Sequence, residues 1–129
     1  MQKTFAQLFK ETAEGVHQTA VDKGWWDSRW KIEMCATSPE IHSASVSANN
    51  GSLIALMHSE LSEALEALRA GNPPDDKIPE FTGVEAELAD VVIRIMDAAA
   101  ARGWRVGEAI ERKIEMNKGR SFMHGGKKF

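Results

Sequence analysis

The sequence predicts an all-α fold, a small antiparallel four-helix bundle. Three observations predict it. Apolar residues recur at three- and four-residue spacings over four long segments. No segment sustains a two-residue alternation, and β-branched residues are sparse outside one of the four. Glycine or proline clusters fall where the periodic runs end. With 129 residues the chain has enough for one core, so a single domain over 1–129 is expected.

The first helix is predicted from about Thr4 to Lys23. Phe5, Leu8, Phe9, Val16 and Val21 form its apolar set, and Gly24 stops it. The stretch from Trp25 to Gly51 is rich in Ser and Ala and carries no long periodicity. It reads as irregular, with residues 27–51 as an inserted loop and room for a short helix near Ile41 to Val46. A lid, a specificity loop and an oligomer contact are all open roles for it. The second helix is predicted from about Ser52 to Ala70, with Leu53, Met57, Leu61, Ala64 and Leu68 as its core stripe. The turn GNPPDDKIPEFTG follows. The third helix is predicted from about Val84 to Arg102, on a stripe of Val84, Leu88, Val91, Val92, Ile95 and Ala99. The fourth runs from about Val106 to Asn117. The short GWRVG link implies that the last two pack antiparallel. Residues 118–129 read as a basic, loop-like tail.

Composition excludes several classes. Hydrophobic residues at 43% and charged residues at 27% place the chain among soluble globular proteins rather than disordered ones. A formal net charge of −3 gives no reason to expect a nucleic-acid polymer or an anionic membrane as partner. Cys35 is the only cysteine, so neither an internal disulfide nor a Cys-pair metal motif is possible. MQKTFAQLFKETAEG lacks the apolar core of a signal peptide, and no run reaches transmembrane length. A cytoplasmic location is expected. From Lys113 onward the charge turns basic, with Lys113, Lys118, Arg120, Lys127 and Lys128 against Glu115 alone. Such an end could meet a phosphate ligand or simply be solvated.

Two helices place acids beside their core stripes. At about 100° per residue, Glu60 projects only about 60° from the centre of its stripe, with Glu63 at the margin. On the third helix Glu87 lies about 90° from the centre and Asp90 further round. Residues three apart are neighbours on a helix, so each pair can present two carboxylates in one direction. Side by side, the helices would converge four carboxylates, which is strongly unfavourable unless a cation is shared or protons are taken up. An all-oxygen ligand set without Cys or paired His fits Mg²⁺, with Mn²⁺ as a substitute, rather than Zn²⁺. Mg²⁺ held by a few carboxylates commonly completes its shell with water and substrate phosphates.

The order ELSEALEALR, turn, ELADVVIRIMD, KIEMN and terminal HGGK resembles the MazG-like all-α nucleoside triphosphate pyrophosphohydrolases. The resemblance covers roughly Leu53 to Lys127. It implies a Mg²⁺-dependent enzyme that hydrolyses a (d)NTP to the (d)NMP and pyrophosphate, in nucleotide-pool control. Glu60, Glu63, Glu87 and Asp90 would be the metal ligands and catalytic carboxylates. Lys113 and Arg120 would contact phosphates, and Asn117 a phosphate, sugar or base edge. Related enzymes sandwich the base between a His and a Trp nine residues on, and His17 and Trp26 have that spacing. Core anchoring is the other reading of Trp26, and Trp25 and Trp30 could share either task. Some relatives carry a further Glu just before the first acid pair. Ser59 stands there, so activation of water falls to the metal site. The resemblance also implies a homo-oligomer, a tetramer favoured over a dimer. Deoxynucleotides are the expected substrates, with a lean to dGTP. A non-catalytic helical module for oligomerisation or partner binding is the competing reading.

Overall fold

The computed structural model describes residues 1–120. It is all-helical, with five helices rather than four among the described residues: α1 Phe5–Asp22, α2 Asp27–Met34, α3 Pro39–Arg69, α4 Gly83–Arg102 and α5 Val106–Lys118. The only strand-like pairing there is an isolated bridge between Pro74 and Thr82. None of these helices is long and apolar enough to cross a membrane.

The expected inserted loop over 27–51 is helical instead. Residues 27–34 form α2, and α3 begins at Pro39, thirteen residues before the predicted start at Ser52. Ser38 is the local cause: its hydroxyl accepts from the Ile41 N–H at 3.2 Å, and Pro39 occupies the first turn, where no N–H is needed. The rest is tertiary. Asn49 donates to Glu33 Oε2 at 2.6 Å and Asn50 Oδ1 accepts from Arg102 Nε at 2.8 Å, so poor helix formers are held in a helix by what they bind.

The other helices begin and end close to prediction. Capping boxes at Thr4 with Gln7 and at Thr82 with Glu85 start α1 and α4. Gly103, at φ 68°, ends α4 in the left-handed conformation that glycine adopts without a Cβ penalty.

Helix α4 packs between α1 and α3, α5 lies against α1, and α2 lies against α3. Arg94 meets Glu60 and Arg102 meets Asn50, a register in which α3 and α4 run antiparallel. Small residues set the spacing. Ala20 of α1 and Ala98 of α4 join Trp26 and Leu53 in the central cluster. On the other side of α1, a Cβ added to Gly107 would lie 3.0 Å from Phe9 Cβ, so α5 approaches as closely as a glycine permits.

Candidate functional site

In both acid-bearing helices the buried face is rotated away from the apolar stripe and towards the acids. On α3, Leu53, Glu60 and Ala64 are buried, whereas Leu61 and Leu68 of the predicted stripe are exposed. On α4, Ala86, Ala98 and Ala99 are buried while Leu88 and Val92 are exposed. Alanines predominate on the buried faces, and several large apolar residues are left exposed. Glu60, only 8% exposed, therefore belongs to the packed side of its helix.

Glu60, Glu63 and Glu87 each offer an oxygen within 4.8 Å of the other two. Three carboxylates from two antiparallel helices thus converge, as three of the four predicted ligands. Asp90 is not in this triad. It lies one turn further along α4 and lines the adjoining cavity beside Glu60.

The cluster is under electrostatic load. Burial, then the neighbouring carboxylates of Glu63, Glu60 and Asp90, push Glu87 up to about 7. Burial also acts on Glu60, but the hydrogen bond from Arg94 and the contacts with Glu63 and Glu87 outweigh it and hold Glu60 below its ordinary value. Asp90 is raised, first by burial and then by the charge of Glu60. Among the described residues one guanidinium bonds the cluster, and it bonds a single acid: Arg94 Nε donates to Glu60 Oε1 at 2.7 Å. Glu87 Oε2 is buried, and among the described residues no protein donor reaches it. A buried carboxylate oxygen without a donor is costly unless a proton or a cation completes it. The donor set is all oxygen, which fits a hard divalent cation such as Mg²⁺ or Mn²⁺.

A cavity of about 820 Å³ opens beside the cluster. Glu60, Asp90, Lys77 and Arg94 line it, and so do Trp25, Arg29 and Leu53. A rise of about 1.5 Å per residue sets Leu53 and Glu60 about 10 Å apart along α3, so the cavity reaches from the Leu53 level of that helix to its acids. Lys77 is placed by the α3–α4 turn: Asp75 Oδ2 accepts from the N–H groups of Lys77 and Ile78 at 2.9 and 3.0 Å.

His17 and Trp26 are brought together, but as packing partners. Their rings meet edge to face, with centroids 5.3 Å apart and planes at 84°, so no slot for a planar base lies between them. Trp26 is 0% exposed. Its Nε1–H donates to both oxygens of Asp97 at 3.0 Å, and His17 Nδ1 lies 2.7 Å from Asp97 Oδ1. The guanidinium of Arg29 sits 5.2 Å from the Trp26 ring centre. Its neighbour Trp25 is instead 63% exposed and lines the cavity.

Lys113, Asn117 and Arg120 are exposed on and just beyond α5, which packs on α1, and none of them lines the cavity that holds Glu60. Arg120 Nη1 reaches Asn117 Oδ1 at 3.5 Å. The terminal HGGK with His124 lies outside the described residues.

Sequence reasoning passed over Arg94, Lys77 and Asp97. A signal for two of them was available. Arg94 and Asp97 interrupt the apolar run after Asp90 at spacings of four and seven residues, which keeps both near the Glu87–Asp90 side of α4.

Comparison of the chain with protein-family models, curated proteins and solved structures gave no match.

Proposed function

We propose that this protein is a Mg²⁺-dependent nucleoside triphosphate pyrophosphohydrolase that converts a (d)NTP and water to the (d)NMP and pyrophosphate. The observation that carries the reading is the Glu60–Glu63–Glu87 triad, with Glu87 Oε2 lacking a donor among the described residues, beside a cavity that Glu60 lines. The order of sequence motifs supports the same reading. A divalent cation held there would neutralise phosphate charge and lower the pKa of an attacking water. Asp90, at the cavity wall, would orient that water or complete the ligand set. Trp25 and Arg29 offer a stacking face and a cation for the base in the same cavity. Asp97 would line the base site, with His17 and Trp26 behind it as its bonding partners rather than as the sandwich itself. Within one chain no substrate contact is assigned to Lys113, Asn117 or Arg120.

The test is release of monophosphate and pyrophosphate across the common ribo- and deoxynucleoside triphosphates with Mg²⁺, dGTP among them. Glu63→Gln and Asp90→Asn should each reduce turnover at least tenfold, the scale expected when a charged group at a metal site is lost. Full activity in the Glu63 variant would sink the metal-site assignment.

A free apolar stripe supports a second property, self-association. Ile54, Leu61, Leu65 and Leu68 share one side of α3, lie about 90° from its buried face, and are 44–53% exposed. We assign this side to contact with further copies of the chain in the cytoplasm, a tetramer ahead of a dimer. If neither Mg²⁺ nor Mn²⁺, with or without nucleotide, raises the unfolding temperature, the non-catalytic helical module becomes the better reading.

A further inference from the structure

We infer that Arg94 is a phosphate-binding residue whose guanidinium fork is held at the mouth of the acidic triad by its own bond to Glu60. The inference rests on the pyrophosphohydrolase reading and adds to it a residue that the sequence motifs do not indicate.

The geometry divides the guanidinium in two. Nε donates to Glu60 Oε1 at 2.7 Å, which fixes the plane of the group against α3. Among the described residues the terminal nitrogens Nη1 and Nη2 donate to no protein acceptor, and Arg94 lines the cavity. A planar fork with donors to spare matches the paired oxygens of a phosphate. The side chain is 39% exposed, so these donors are open to a ligand, while Glu60 beside it is 10% exposed.

Charge requires the same arrangement. A polyphosphate approaching Glu60, Glu63, Glu87 and Asp90 meets four acids. A bound divalent cation would offset part of that repulsion, and among the described residues the protein cations that line the same cavity are Arg94, Lys77 and Arg29. Lys77 forms no ion pair among the described residues. The cations implied by the α5 motif, Lys113 and Arg120, do not line this cavity. Among the described residues Arg94 is also the one cation bonded to the triad, so it touches both an acid that would hold metal and the space where phosphate would lie. A Lys ammonium could touch both groups, but it lacks the planar, rigidly spaced donor pair that grips two phosphate oxygens.

The experiment measures two affinities on the full chain by calorimetry, with Mn²⁺ alone and with inorganic pyrophosphate at saturating Mn²⁺. Arg94→Gln should leave Mn²⁺ affinity within about threefold and weaken pyrophosphate about tenfold or more, as loss of a charge-assisted fork predicts. Arg94→Lys should recover only part of the pyrophosphate affinity. Unchanged pyrophosphate affinity in Arg94→Gln overturns the inference and leaves the proposed function standing. Parallel loss of Mn²⁺ and pyrophosphate also overturns it, since Arg94 would then only hold Glu60 in place. If the unaltered protein binds no Mn²⁺, the metal site fails and the inference falls with it.

Discussion

Arg102 grips Glu33 through two parallel hydrogen bonds, Nη1 to Oε1 at 3.0 Å and Nη2 to Oε2 at 2.8 Å. The pair ties α2 to α4 and is nearly closed to solvent, with the Glu33 side chain 8% and the Arg102 side chain 13% exposed. The hydrogen bond to Arg102 comes first among the causes that hold Glu33 below its ordinary carboxyl value, against the opposing effect of burial. Arg102→Met leaves a buried carboxylate without its partner, so stability should fall by about 3–5 kcal/mol in urea denaturation. The double variant Glu33→Leu, Arg102→Met should recover most of it, because well-packed apolar groups replace a buried pair at little cost. The pH sign follows from the depressed pKa. The pair's contribution is present above the unfolded value near 4.5 and is lost as pH falls through the lower folded value. A double variant no more stable than Arg102→Met would refute this account.

Glu87 has the opposite sign. Its folded pKa, about 7, lies above its unfolded value of 4.5, so between these the native state holds more protons than the unfolded state. Metal-free protein should therefore lose stability from this group as pH rises from 4.5 through 7. Glu87→Gln should flatten that fall and raise the unfolding temperature at pH 8 in the presence of a chelator. The same variant should weaken Mn²⁺ binding, because an amide is a poorer ligand than a carboxylate. A variant that is less stable than the parent at pH 8 in chelator would show that the cluster carries no such load.

Asp97 organises aromatic residues beside the cavity without having stood out as a site residue. Asp97→Ala leaves the Trp26 Nε1–H and the His17 Nδ1 without the oxygens they now share. A loss of about 1–3 kcal/mol is expected from stranding buried polar groups. Trp25, not Trp26, should respond to nucleotide, since only Trp25 is exposed in the cavity. Quenching of tryptophan emission by added nucleotide should persist in Trp26→Phe and largely vanish in Trp25→Phe. The reverse pattern would return the base to the His17–Trp26 pair.

Helices α1, α4 and α5 were legible because local chemistry and tertiary packing agree there. The structure caps these helices at Thr4, Thr82 and Gly103, each within two residues of the predicted bounds. The first half of α3 was not legible, because Ser, Asn and Gly argue locally against a helix. What holds it, the Asn49 and Asn50 bonds to Glu33 and Arg102, joins residues far apart in the chain. The acid triad could be read from Glu60, Glu63 and Glu87 because a three-residue helical spacing fixes direction. Whether Asp90 joined them depended on the rotation of α4 about its axis, and that is set by Ala86, Ala98 and Ala99 packing inward. Lys77 gave no signal and the signal of Arg94 was easily passed over, for a related reason. One sits in an apolar run and the other in a turn, and only the fold brings them to one cavity.

The same rotation that turns Glu60 inward leaves Leu61, Leu65 and Leu68 outside, and this gives the last prediction. An apolar stripe that ought to be core is left about half exposed among the described residues. Burial of apolar area at about 25 cal/mol per Å² favours pairing of such faces between copies. Sedimentation should therefore give a species larger than the monomer, and the unfolding temperature should rise with protein concentration, as linked association requires. Leu61→Glu with Leu65→Glu places charge on the stripe while sparing the buried residues Leu53 and Ala64. The doubly substituted chain should sediment as a smaller species and keep its helical content, and its unfolding temperature should no longer depend on concentration. If the parent protein already sediments as a monomer at micromolar concentration, the stripe is not an interface between copies. If the substitutions halve a tetramer rather than yield a monomer, the stripe forms one of two interfaces, and a second must lie elsewhere. Exposed Leu88 and Val92 of α4 are the first residues to substitute in search of it.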